Sequence, residues 1–156
     1  MSKILTFLLM GLLQIPLLSD PEFSNFVLYD LEGKQNVFYS MMKEEKPETL
    51  FVLNFTTVVC KACKIEIPEL VELEKKNSRM KLLCIFLEAE NTVRPVARSL
   101  GLGKAYSDPL ETIQGIFGVK AYYPTTVVVD TKGKKLATLV GYTKENMKKL
   151  KSILEK

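Results

Sequence analysis

Apolar positions follow two rhythms along this chain, and their alternation predicts its elements. From Leu50 to Phe55 and from Leu82 to Leu87 apolar residues run almost unbroken over strand length, the pattern of strands covered on both faces. Shorter apolar segments at Phe26 to Tyr29 and Val37 to Tyr39 flank Asp30-Leu31-Glu32-Gly33-Lys34, whose glycine supplies turn geometry, so a hairpin is predicted. Thr125 to Asp130 and Lys135 to Val140, joined by Thr131-Lys132-Gly133-Lys134, predict a second hairpin. The other rhythm is helical. It covers Cys60 to Lys76, with Ile67, Leu70, Val71 and Glu74 at i, i+3, i+4 and i+7. A helix over Val93 to Leu100 stops at Gly101. Another is expected over Leu110 to Phe117, with Asp108 as its cap, Pro109 in its first turn and Gly118 at its end. Thr143 caps a last helix whose Met147, Leu150, Ile153 and Leu154 face inward while its lysines form a solvated outer face.

The first nineteen residues break this pattern. MSKILTFLLMGLLQIPLLS carries one cation, Lys3, and then an apolar stretch from Ile4 to Leu18, the build of an export segment. Two fates are open: a cleaved signal peptide, or an N-terminal membrane anchor, since Leu17 and Ser19 make a poor small-x-small cleavage pair. Either places residues 20–156 outside the cytoplasm, where disulfides persist. With 156 residues, 47% of them hydrophobic and 26% charged, the chain has the make-up of one globular domain. Its net charge of +4 comes with no basic stripe or interleaved aromatics, so nucleic acid is not an expected partner.

The chemistry concentrates in NFTTVVCKACKIEIP, residues 54 to 68. Cys60 and Cys63 open the predicted helix three residues apart, on one face and within disulfide reach. Unpaired N–H groups and the helix dipole favour negative charge there, and Lys61 and Lys64 add to it, so the Cys60 thiolate is stabilised. Cys63 lies one turn inward. This assigns Cys60 as nucleophile and Cys63 as resolving thiol. A metal site needs three or four ligands, whereas the chain has no histidine and one further cysteine, Cys84, inside an apolar strand where it reads as a small buried hydrophobe. As a structural staple, the pair closes too short a loop to remove much unfolded-state entropy. No cofactor beyond the redox-active disulfide is expected.

From Phe26 to Lys156 the chain resembles the exported thioredoxin-fold oxidoreductases of the TlpA/ResA type. The resemblance rests on Phe26-x-Leu28-x-Asp30-Leu31-x-Gly33-Lys34, on Val52-Leu53-Asn54-Phe55, and on Cys60-x-x-Cys63-Lys64-x-Glu66-x-Pro68-Glu69-Leu70. It extends through Phe117-Gly118-Val119 and Tyr123-Pro124-Thr125-Thr126 to Asp130 and Gly133. The resemblance implies an α/β thioredoxin-like fold: a central mixed β-sheet, helices on both faces and an N-terminal β-hairpin. It implies a cis bond between Tyr123 and Pro124 beside the cysteines, leaving the Tyr123 backbone free to pair with a substrate peptide. Pro68 falls where the family's active-site helix kinks. Thioredoxin proper carries a buried aspartate where this chain has Asn54, so Glu66 becomes the candidate proton acceptor for Cys63. The family's Trp-x-x-Trp before the first cysteine is replaced by Thr56-Thr57-Val58-Val59, which predicts an aliphatic rim.

The implied activity is thiol–disulfide exchange on exported client proteins, as a reductase recharged by an electron donor protein, in the periplasm or at the outer face of a bacterial cytoplasmic membrane. Three rivals stand beside it. A thiol peroxidase would lack its Pro-x-x-x-Thr-x-x-Cys arrangement here, since Phe55 to Val59 supplies no proline. A non-catalytic binding module would use the Tyr123-Pro124 groove without turnover, and a metallochaperone would take up copper or zinc.

Overall fold

A computed structural model describes residues 20–156; the expected export segment lies outside them. The strands are β1 (Val27–Asp30), β2 (Gln35–Val37), β3 (Leu50–Thr56), β4 (Met80–Phe86), β5 (Tyr106–Ser107), β6 (Thr125–Asp130) and β7 (Lys135–Val140). They form one seven-stranded sheet in the order β2-β1-β5-β4-β3-β6-β7. β3, β4 and β5 run parallel, while β1, β2, β6 and β7 join antiparallel, so the sheet is mixed as expected. The helices are α1 (Phe38–Glu44), α2 (Lys61–Lys76), α3 (Glu90–Ser99), α4 (Thr112–Ile116) and α5 (Lys144–Leu154).

Alternation along the central strands sorts the core into two layers. Leu50 and Val52 of β3, with Leu82, Cys84 and Phe86 of β4, face α2, α3 and α5, meeting Ile67, Leu70, Val93, Met147 and Leu150. Phe51, Leu53 and Phe55, with Leu83 and Ile85, face α1 and α4 and meet Phe38, Met42, Ile113 and Phe117. Both faces are thus covered, which explains the unbroken apolar runs. The parallel β3/β4 pair needs a crossover, and α2 supplies it, so the end of β3 feeds directly into the cysteine segment.

Both hairpins use the same local chemistry. Asp30 Oδ1 accepts from the backbone N–H of Glu32 and Lys34, and Asp130 Oδ1 accepts from Lys132 and Lys134. The glycine in each turn has positive φ, 80° at Gly33 and 79° at Gly133, which explains Asp-x-x-Gly-Lys in both.

Three predicted boundaries need correction. The second apolar segment of the N-terminal hairpin was expected to run as strand through Tyr39, but at Phe38 the chain turns into α1. There Phe38 stacks on Phe26 with ring centroids 4.6 Å apart and meets Phe51 edge-on at 5.1 Å. α3 starts at Glu90, a turn earlier than Val93. α4 starts at Thr112 rather than Leu110: Glu111 N–H bonds back to Asp108 C=O, Leu110 stands 85% exposed, and the Asp108 carboxylate caps the helix from four residues ahead. That carboxylate accepts from the N–H groups of Thr112, Ile113 and Gln114, three of the donors a helix start leaves open. α5 is capped as expected, by Thr143 Oγ1 accepting from Asn146 N–H.

Candidate active site at the start of helix α2

The end of β3 passes through Thr57, Val58 and Val59 to Cys60, which is the N-cap of α2. A disulfide joins Cys60 to Cys63, with the Cα atoms 5.3 Å apart. The two sulfurs are not equivalent. Cys60 is half-buried and its Sγ accepts from the Cys63 backbone N–H at 3.1 Å, whereas Cys63 is only 1% exposed within the core. An N–H aimed at Cys60 Sγ is a donor to the thiolate that forms there on reduction, and the positive end of α2 adds to it. Val58 packs against the core while Val59 is 78% exposed beside Cys60, giving the site the aliphatic rim expected from the sequence. Val58 N–H donates to Glu88 Oε1 at 3.0 Å, so the end of β4 holds the loop leading to the cysteine. Sequence reading missed Glu88, and no spacing signal links it to the loop.

Glu66 lies one turn beyond Cys63 and is 4% exposed, so the expected carboxyl is on the buried side of α2. Burial lifts its pKa to about 7, the Asn54 amide pulls it back, and the nearby Glu69 carboxylate pushes it up. Asn54 Nδ2 donates to Glu66 Oε2 at 2.8 Å and to Thr126 Oγ1 at 2.9 Å. Cys84 stands beside Asn54 in the β3/β4 register, fully buried, and burial raises its thiol pKa far above any reactive range.

The cis bond lies between Tyr123 and Pro124, as the resemblance implies. The β3/β6 register pairs Asn54 with Thr126 and Phe55 with Thr125, so the next step brings the buried Pro124 beside Thr56, at the strand end from which the cysteine loop departs. Tyr123 packs between the two core layers and its hydroxyl donates to Gln114 Oε1 of α4 at 2.6 Å. Pro68 lies inside α2 and has no N–H to donate, so the Lys64 carbonyl one turn back lacks its helical partner. Among the described residues no group of three His, Cys, Asp or Glu side chains is arranged to hold a metal ion. No helix among them is long and apolar enough to cross a membrane.

No protein-family model matches the chain. Among solved structures, StoA from Bacillus subtilis superposes with a TM-score of 0.64 at 19% identity, covering 83% of this chain and 96% of that one. A secreted Mycobacterium tuberculosis disulfide oxidoreductase homologous to E. coli DsbE gives 0.68 at 19% identity, covering 83% and 94%. These likenesses establish the thioredoxin-like fold. The thiol-disulfide oxidoreductase ResA of Bacillus thuringiensis is 34% identical over 131 residues, which span 81% of this chain and 72% of the relative. ResA of Bacillus anthracis matches to the same extent. With a Cys-x-x-Cys disulfide at a helix start and a cis-proline at the neighbouring strand, this chain belongs to the ResA family of thiol-disulfide oxidoreductases.

Proposed function

We propose that the protein reduces disulfides of exported client proteins through the Cys60–Cys63 couple, outside the cytoplasmic membrane of a bacterium. The asymmetry of the pair carries this reading: an accessible sulfur at the helix N-cap and a buried one a turn from a carboxyl of near-neutral pKa. In the dithiol form the Cys60 thiolate attacks one sulfur of a client disulfide. A mixed disulfide forms and the client's other sulfur leaves as thiolate. The Cys63 thiol gives its proton to the Glu66 carboxylate, and the resulting thiolate attacks Cys60 Sγ. The Cys60–Cys63 disulfide forms and the client's second sulfur leaves as thiolate; Glu66 returns its proton and solvent supplies another, so the client, now holding two more electrons, ends as a dithiol. An electron donor protein then reduces the couple again.

Glu66 suits the proton step because a base works best when its pKa lies near the working pH. The client backbone pairs with that of Tyr123 at the cis-proline, and the Val59 rim takes apolar side chains flanking the client cystine. The segment of residues 1–19 delivers the domain across the membrane and either is removed or holds it there.

Trapping tests the reading. A Cys63→Ala protein keeps its nucleophile and cannot resolve, so it should accumulate mixed disulfides through Cys60 when expressed with exported, disulfide-containing proteins. A Cys63→Ala protein that forms no such adducts under conditions where free thiol reagents modify Cys60 would overturn it.

A further inference from the structure

Asn54 is fully buried at the centre of β3 and touches both halves of the site. Its Nδ2 donates one proton to Glu66 Oε2 of α2 and the other to Thr126 Oγ1 of β6. Its Oδ1 is buried and has no hydrogen-bond partner among the described residues. The next side chain on that face of the strand, Thr56, has its Oγ1 in the same condition. An ionised carboxylate needs donors, whereas a protonated carboxyl needs an acceptor for its own O–H. A primary amide offers one at each end, with ends of nearly the same shape. A threonine hydroxyl serves as donor or acceptor.

Resting on the reading of Glu66 as proton acceptor, we propose that Asn54 is a positioning residue whose amide turns end for end as Glu66 takes and releases the proton. While Glu66 is ionised, Nδ2 faces it, the arrangement seen here. When Cys63 gives up its proton, the S–H bond breaks, an O–H bond forms on Glu66, and the negative charge passes from carboxylate to thiolate. The Glu66 O–H then donates to Oδ1. Thr126 turns its hydroxyl proton to the same Oδ1, which has two lone pairs. Each state pairs the carboxyl with the group it needs, so neither protonation state of Glu66 is left unmatched in the core. Aspartate at this position would instead set two carboxyls side by side sharing one proton, and leucine would match neither state.

Other titratable groups near Glu66 do not replace this partner. Glu69 of α2 raises its proton affinity but is itself tied to Lys151 of α5 at 3.1 Å and to the Tyr142 hydroxyl at 2.9 Å. Cys84 of β4 keeps its proton through the neutral range. Cys63, a turn away on α2, is the proton donor itself.

The test uses the isotope-labelled protein in its disulfide form, where neither Cys60 nor Cys63 titrates. The Asn54 side-chain NH2 signals and the Glu66 carboxyl carbon are followed by NMR from pH 5 to 9. Both should change with one shared midpoint near 7, and the Asn54 response should vanish in Glu66→Gln. Asn54→Leu should move the Glu66 midpoint up by about one unit, because the donor that lowers it is gone. A Glu66 carboxyl that titrates while the Asn54 amide signals stay fixed would overturn the proposal, as would a folded Asn54→Leu protein with an unmoved Glu66 midpoint. Failure of the underlying reading shows elsewhere, as an exchange rate that Glu66→Gln leaves unchanged.

Discussion

At the scale of single residues, the buried carboxyl of Glu66 links folding to pH. Its folded pKa of about 7 lies above the ordinary value of 4.5, so the native state binds more protons than the unfolded chain between those values. Stability contributed by the protonated form is therefore present below pH 4.5 and is lost as pH rises toward 7, by about 3 kcal/mol at most. Glu66→Gln removes the charge and keeps the hydrogen-bonding shape. In urea titrations of the disulfide form it should match the parent near pH 4 and exceed it by about 1–3 kcal/mol at pH 8. A difference independent of pH would contradict the assignment. Cys84 makes a second case. Cys84→Ala should cost about 1 kcal/mol of stability from the small cavity and leave thiol–disulfide exchange unchanged. The burial of Glu66 was legible in part: Cys63, Glu66, Ile67 and Leu70 fall at i, i+3, i+4 and i+7, and all four are buried. The stripe expected from the apolar residues alone ran through Val71 and Glu74 instead, and both of those are half-buried. Glu74 faces β4 for another reason, accepting from Leu82 N–H at 2.7 Å. The Asn54 partners were not legible, because they lie twelve and seventy-two residues away and only the strand register brings them together.

At the scale of elements, the proposed reactivity of Cys60 rests on its place at the start of α2. In the reduced protein, the rate of Cys60 alkylation against pH should show a midpoint at least about one unit below the 8.5 of a free thiol, with Cys63 reacting far more slowly. An ordinary Cys60 midpoint would show that the N-cap position does not activate it. α4 matters through its cap. Asp108→Ala should lower stability by about 1–2 kcal/mol, since three backbone N–H groups, those of Ile113 and Gln114 buried, lose their acceptor, and should loosen the Gln114–Tyr123 bond behind the cis-proline. Chemical denaturation measures the first, and amide exchange at residues 112 to 114 the second. The elements the sequence did not reveal are short or weakly marked. α1 follows a strand directly and its N-cap, Val37, makes no side-chain cap, so nothing announces the change of rhythm. β5 has two residues, too few for any alternation to register.

At the scale of the whole molecule, the sheet gathers the parts of the site. β3 delivers the cysteine loop, β4 anchors it through Glu88, and β6 opens at the cis-proline beside the same strand end. This end lies beyond the carboxyl ends of the parallel strands, where open α/β sheets place their chemistry. Most of that organisation could be read beforehand, because unbroken apolar runs, turn glycines and the Cys-x-x-Cys pair each leave a local mark. Its direction of electron flow could not, since reductants and oxidants of this fold share those marks and differ in how far thiolate and disulfide are stabilised. The reduction potential of the Cys60–Cys63 couple, measured by equilibration in thiol–disulfide buffers, therefore tests the proposed reductase most directly. The account predicts one two-electron transition more negative than about −200 mV; a midpoint near about −120 mV, typical of a strong oxidant of this fold, would contradict it.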